Sequence, residues 1–381
     1  MKACRVCSQQ LDDEYQRFSG PSVTSIATII EVDVVLYVCA KCGHVQSPAH
    51  ADIREFYENE YRLSLVTEDH DQVYSIINGA ITFRSEKQAT IIGELCPPDC
   101  VNVLDFGAGK AMTLKHLSRT LKNIKPHVFD VSDDYRHLWA SWLSRDQQAT
   151  HQLPESWHAK FDLIIANFVF EHIEYPVQVL LELGKLLQPD GKIFLSVPNF
   201  ETNSGDFLVV DHVNHFSESS LRVLASEAGM AVELIDNGRF SGAFCLVLKK
   251  TKPDVSDSAD PRHLSIERSK SMILYWSRLL NRLNDEIDIL NKERVAIFGA
   301  GFYGTLIASK LLKKLTCFYD SNPRISEGEK IHCGFPVFPP IKIDPTIDLL
   351  FVGLNPRISK QIIDSYSEMI PGGTRLVFLE D

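Results

Sequence analysis

The stretch Val103-Leu104-Asp105-Phe106-Gly107-Ala108-Gly109 constrains the fold more than any other. An apolar run of strand length ends in a carboxylate, then turns through Gly-x-Gly into the amphipathic segment 110–122. Glycine is needed where a ligand must lie against the backbone, and a helix start supplies unpaired N–H groups and the positive end of a dipole. The third glycine of the dinucleotide fingerprint is absent, because Lys110, Ala111 and Met112 follow. An acid closes the next apolar run, Asp130 in HVFDVS, where a ribose would present its two hydroxyls. These residues point to a nucleoside ligand without a pyrophosphate at this turn.

The pattern around the turn is that of an α/β domain. From residue 101 to about 250, the apolar runs VNVLDF, HVFDV, FDLIIANF and KIFLSVP alternate with amphipathic segments at 110–122, 133–143 and 177–187. Such alternation predicts a mostly parallel, doubly wound sheet with helices on both faces. AVELID and AFCLVLK are expected to pair as a hairpin after a helix over 217–227. That helix has Ser217 as its N-cap, Glu218 in its first turn and Gly229 beyond its end. The Pro-, Asp- and Ser-rich stretch 251–264 has little to bury and reads as a linker. Beyond it come a long amphipathic helix, about 265–292, and a second, smaller alternation: RVAIFGAGFYG, LTCFYD, DLLFVGL and TRLVFLE. The expected organisation is a zinc-binding domain at 1–50, a helical connector or cap at 51–98, the central domain at 99–250, the linker, and a Rossmann-like domain at 265–381.

Two Cys-x-x-Cys pairs, Cys4/Cys7 and Cys39/Cys42, offer four thiolates at the spacing of a closed, tetrahedral, structural zinc site. Vicinal redox pairs are the alternative. Lys+Arg 39 against Asp+Glu 50 gives a net charge of −11, which repels phosphate backbones and anionic lipid heads, so no nucleic-acid partner is expected. No apolar run reaches the ~20 residues of a membrane span. The start Met1-Lys2-Ala3-Cys4 carries no apolar leader, and the expected location is the cytoplasm.

VLDFGAGKAMTLKHL, HVFDVS, FDLIIANFVFEHIEYP and LLQPDGKIFLSVPN, in this order, resemble the successive motifs of class I S-adenosylmethionine-dependent methyltransferases. The resemblance implies that Gly107 and Gly109 approach the methionine part of the cofactor. It places Asp130 on the ribose and Asn167 in the loop beside the sulfonium, and has Asp105 order the turn and reach the cofactor's amino group. A cysteine-bound zinc domain, this core and a C-terminal nucleotide fold together resemble the C-methyltransferases of nucleotide-linked keto-deoxysugars. That likeness implies His212 as the base and Asp211 as its carboxylate partner; His172, which begins the loop after the fourth strand, over the methyl donor by analogy, is a second acid–base or substrate-binding candidate. Val209 and Val210 depart from the Tyr-His pair of that family. Tyr61 stands where the family has a substrate-contacting tyrosine. The turn 299–304, GAGFYG, with Asp320 closing the next strand, matches a dinucleotide fingerprint, but the resemblance implies contact with a sugar nucleotide's diphosphate. O-methylation of a sugar or small molecule, and a non-catalytic nucleotide-binding module, remain as alternatives.

Overall fold

The computed structural model describes residues 3–49, 71–77, 80–95, 101–121, 123–250, 262–311, 314–326, 330–341 and 343–380. Tyr61, most of the expected connector and residues 251–261 of the expected linker lie outside the described residues. The chain groups into two compact units. The first comprises Met1–Asp13, Tyr37–Ser204 and Val213–Ser269; the second comprises Glu14–Leu36, Gly205–His212 and Lys270–Asp381.

The first unit is built on a seven-stranded sheet, ordered Gln148–Thr150, Lys125–Asp130, Asn102–Phe106, Phe161–Asn167, Leu187–Pro198, Ala243–Lys249, Ala231–Asp236. The first five are parallel, while Ala243–Lys249 runs antiparallel to both of its neighbours. Chain order reverses between Asn102–Phe106 and Phe161–Asn167, which opens a crevice at the carboxyl ends of these strands. Both faces of the sheet are covered, so its strands read as continuous apolar runs rather than alternating ones. Leu104 and Ile164 are fully buried on one face, while Val103, Leu163 and Ile165 pack with Ile91 and Ile92 of the helix Arg84–Leu95 and with Leu114 and Leu117 of the helix Met112–Thr120.

The helix Glu218–Glu227 starts as expected, with Ser217 Oγ accepting from the Ser220 N–H. The segment 133–143 differs from its expectation, since only Arg136–Trp139 is helical. Its buried Trp139 donates from the indole to the Gly109 carbonyl at 2.8 Å, and this anchoring breaks the segment into short turns.

The second unit carries a six-stranded sheet ordered Lys330–His332, Phe335–Phe338, Leu315–Tyr319, Val295–Phe298, Leu349–Val352, Arg375–Phe378. All are parallel except Lys330–His332, which forms a hairpin with its neighbour. Hydrogen bonds to the main chain and a β-bridge tie Glu14–Leu36 to this unit. Lys310 Nζ, on the helix Phe302–Leu311, donates to the carbonyls of Ser19 and Pro21 at 2.6 and 3.0 Å. Val23 in turn makes a parallel bridge to Val209, which brings in Gly205–His212. The long helix runs Arg262–Asp288, and no described helix is long and apolar enough to cross a membrane.

Candidate functional site

The turn after Asn102–Phe106 has its backbone forced into the left-handed region at three points, Gly107 at φ 72°, Gly109 at φ 49° and Ala111 at φ 54°. Gly107 has no room for a side chain, because a Cβ there would lie 2.6 Å from Val169 Cγ2. The Gly107 and Ala108 N–H groups donate to the Phe129 carbonyl at 2.9 and 3.0 Å. Asp130 Oδ2 accepts from the Gly109 N–H at 2.8 Å and Oδ1 from the Ser132 N–H at 3.2 Å. The acid at the end of the second strand therefore holds the glycine turn in place, and a carboxylate's roughly four acceptor sites leave room for hydroxyls.

Electrostatically this is a pair of buried acids. Burial pushes Asp105 up to about 7, with a further contribution from the Asp130 charge. Burial also raises Asp130, against the lowering effect of the Gly109, Ser132 and Val131 N–H groups. Asn167, at the end of the fourth strand, accepts from Ser196 Oγ at 2.9 Å, while its buried Nδ2 has no hydrogen-bond partner among the described residues. Such a donor is costly unless something else accepts from it. Phe168 follows at φ 55°, and the Arg84 guanidinium lies over its ring at 3.9 Å. His172 ends the short helix Phe170–His172, half-buried, in the same unit.

The other expected catalytic residues, Asp211 and His212, fall in the second unit. Here the structure corrects the expected pairing. The carboxylate on His212 is Asp206, whose Oδ1 lies 2.7 Å from Nδ1, with both side chains buried. Asp211 faces Ser25 instead, accepting from its N–H and its hydroxyl, each at 2.7 Å. The physical reason is the fold of the segment. Val209 N–H returns to the Asp206 carbonyl at 3.1 Å and His212 N–H to the Val209 carbonyl at 3.1 Å, and these successive turns bring positions 206 and 212 together. The family resemblance suggested Asp211, whereas the turn sequence Ser204-Gly205-Asp206 was the available sign of Asp206.

The four cysteines converge. Cys4, Cys7, Cys39 and Cys42 are all buried, and their Sγ atoms all lie within 4.8 Å of one another. Cys4–Cys42 and Cys7–Cys39 are each 3.6 Å apart, close to the edge of about 3.8 Å that ~2.3 Å Zn–S bonds give a tetrahedron. The two halves match. The residue after each second cysteine, Ser8 at φ 57° and Gly43 at φ 71°, turns left-handed and donates its N–H to the first cysteine's carbonyl, at 2.9 and 3.0 Å. Crowding of the thiols holds Cys39 far below the usual thiol range, largely through hydrogen bonds from Cys4 and Cys42, and pushes Cys4 up to about 12. The donor set fits a soft divalent cation.

The C-terminal glycine turn repeats the arrangement of the first. Asp320 Oδ2 accepts from the Ala300 N–H and Oδ1 from the Asn322 N–H, both at 2.8 Å. A Cβ on Gly304 would meet the Gly299 carbonyl oxygen at 1.9 Å, and one on Gly353 would meet Gly304 Cα at 2.5 Å.

Comparison with known proteins places part of this chain. The family described as Methyltransferase domain matches residues 68–235. A ubiquinone biosynthesis O-methyltransferase of Nitrosococcus oceani is 29% identical over 127 residues, 32% of this chain and 52% of the relative. The chain thus spans about half the length of the curated relative it matches. Among solved structures, a SAM-dependent methyltransferase from Aquifex aeolicus shares 19% identity at a TM-score of 0.34, over 43% of this chain and 91% of that one. The mitomycin 7-O-methyltransferase shares 14% at 0.37, over 43% and 53%. The part of this chain that is similar to the methyltransferase family is thus residues 68–235, which hold most strands of the seven-stranded sheet.

Proposed function

We propose that the chain transfers a methyl group from S-adenosylmethionine to a small-molecule acceptor, a nucleotide-linked keto-deoxysugar methylated at carbon. The observation that carries the reading is the turn 107–109, left-handed at Gly107 and Gly109, tied to Asp130 through the Gly109 N–H, and lying inside the segment that matches the methyltransferase family. Bound there, the cofactor supplies a methyl group on a positively charged sulfur. Gly107 and Gly109 would hold its methionine part, and Asp130, which keeps acceptor capacity beyond its bonds from the Gly109 and Ser132 N–H groups, would accept from its ribose hydroxyls. The unpartnered Nδ2 supports a role for Asn167 as a donor to that ligand, and Asp105 orders the turn beneath it.

Methylation at carbon requires a proton to leave the position next to a carbonyl while a donor steadies the enolate oxygen. His212 is the base. With Nδ1–H donating to Asp206, Nε2 is the ring nitrogen that takes that proton, and the carboxylate favours the resulting imidazolium. Asp206 thereby takes the orienting role first expected of Asp211. His172 is the second acid–base group, donating to the developing oxyanion. Cys4, Cys7, Cys39 and Cys42 hold a structural zinc ion, with no open position for chemistry.

Similarity to the O-methyltransferase of Nitrosococcus oceani favours a second reading, transfer to oxygen, for which the same His212–Asp206 pair would deprotonate a hydroxyl. The test incubates metal-replete protein with methyl-labelled cofactor and a keto-deoxysugar nucleotide, then locates the methyl by NMR. Label on carbon supports the first reading, and label on oxygen replaces it with the second. Cofactor binding without transfer to any acceptor would leave a non-catalytic module, and absence of cofactor binding overturns the proposal.

A further inference from the structure

The turn that carries His172 is held from outside along most of its length. Asn214, 1% exposed, donates from Nδ2 to the Phe170 carbonyl at 2.9 Å and to the Ile173 carbonyl at 2.7 Å. The Val213 N–H donates to the carbonyl between them, Glu171, at 2.8 Å. Three of the four carbonyls in 170–173 are therefore gripped by two consecutive residues.

Those two residues are themselves tied to the cysteine knuckle. Because Asn214 Nδ2 gives both hydrogens to carbonyls, its Oδ1 accepts from His44 Nε2–H, 3.1 Å away. His44 lies two residues beyond Cys42, and its carbonyl accepts from the Cys39 N–H at 2.8 Å. The short strand Asn214–His215 pairs antiparallel with Val45–Gln46, which continues from His44. Arg5, next to Cys4, donates through Nη1 to the carbonyls of Ser47 and Val213 at 2.6 and 2.7 Å. Both halves of the knuckle thus reach the clamp.

We propose that Asn214 is a positioning residue: it fixes the 170–173 turn and passes to His172 the rigidity of the cysteine knuckle. The inference rests on the reading of His172 as an acid–base group. A clamp of this kind acts on rate more than on binding, since a displacement of about 1 Å at a reacting group costs on the order of 100-fold in turnover.

The test pairs hydrogen exchange with a double-mutant cycle. In Asn214→Ala, amides of 170–173 exchange faster, while affinity for S-adenosylhomocysteine, the probe for the glycine turn, is unchanged. With the keto-deoxysugar nucleotide as acceptor, kcat falls about 100-fold at unchanged KM. Asn214→Ser, which keeps one donor, recovers part of that loss. His172→Ala combined with Asn214→Ala is no slower than His172→Ala alone, because both act through one group. Should Asn214→Ala fail to fold, Arg5→Met loosens the same strand through Val213 and produces the same changes to a smaller degree. Unchanged exchange in a folded variant, or additive effects in the cycle, overturns the inference. Full activity of His172→Ala instead removes the acid–base reading, and exchange then decides the clamp alone.

Discussion

Replacing Gly107 by alanine perturbs the turn in two separable ways. The new Cβ would stand 2.6 Å from Val169 Cγ2 and 3.2 Å from Cγ1, so the valine or the backbone must move. Overpacking of that kind costs about 1–3 kcal/mol. The φ of 72° adds the left-handed penalty of a residue with a side chain, about 1–2 kcal/mol. Together they predict a loss of about 2–5 kcal/mol in unfolding free energy, read as a lower urea midpoint at constant slope. Adding Val169→Ala removes the collision but not the backbone penalty, so the double variant recovers roughly the overpacking part. Affinity for S-adenosylhomocysteine, measured by calorimetry, drops in the single variant and partly returns in the double. If Gly107→Ala unfolds at the wild-type midpoint and binds as wild type, the turn is not the tight cradle described. If the double variant recovers nothing, Val169 is not what limits the space.

Asp105 makes stability depend on pH. Its folded-state value of about 7 lies above that of an unfolded carboxylate, so the native state keeps the proton and stability falls as pH rises from about 4 to 7. The window spans about three units, which sets an upper bound of about 4 kcal/mol, and Asp105→Asn should flatten this part of the profile; denaturation at pH 5 and pH 7.5 measures it. Asp206→Asn should slow methyl transfer far more than Asp211→Asn and leave S-adenosylhomocysteine binding intact, whereas the reverse ranking would return the orienting role to Asp211. Purified protein should carry one zinc ion per chain by elemental analysis, with Cys4, Cys7, Cys39 and Cys42 shielded from alkylation until a chelator strips it. Alkylation of all four without metal release would count against that site.

Much of the first unit was legible because its signals are local. Strands buried on both faces advertise themselves as apolar runs, as in FDLIIANF, and Ser217 marks a helix start by its own side-chain chemistry. The glycine turn and Asp130 could be named for the same reason, being joined within one βαβ unit. What escaped depends on distant pairings. Nothing periodic in Glu14–Leu36 announces that Val23 bridges Val209, or that the carbonyls of Ser19 and Pro21 receive Lys310 from far along the chain. Asp206 was missed because two successive turns fold it back on His212, which a resemblance to an adjacent acid–histidine pair does not reveal. The segment 133–143 has helical spacing, yet the tertiary anchor at Trp139 overrides it.

The back-to-back glycines of the second unit bear on how such chains are recognised. Gly304 and Gly353 lie where two backbones nearly touch, after Val295–Phe298 and after Leu349–Val352, so bare α-carbons are required there whether or not any nucleotide ever arrives. A fingerprint search would score Gly304 as evidence of a dinucleotide, although steric crowding against Gly299 and Gly353 alone accounts for it.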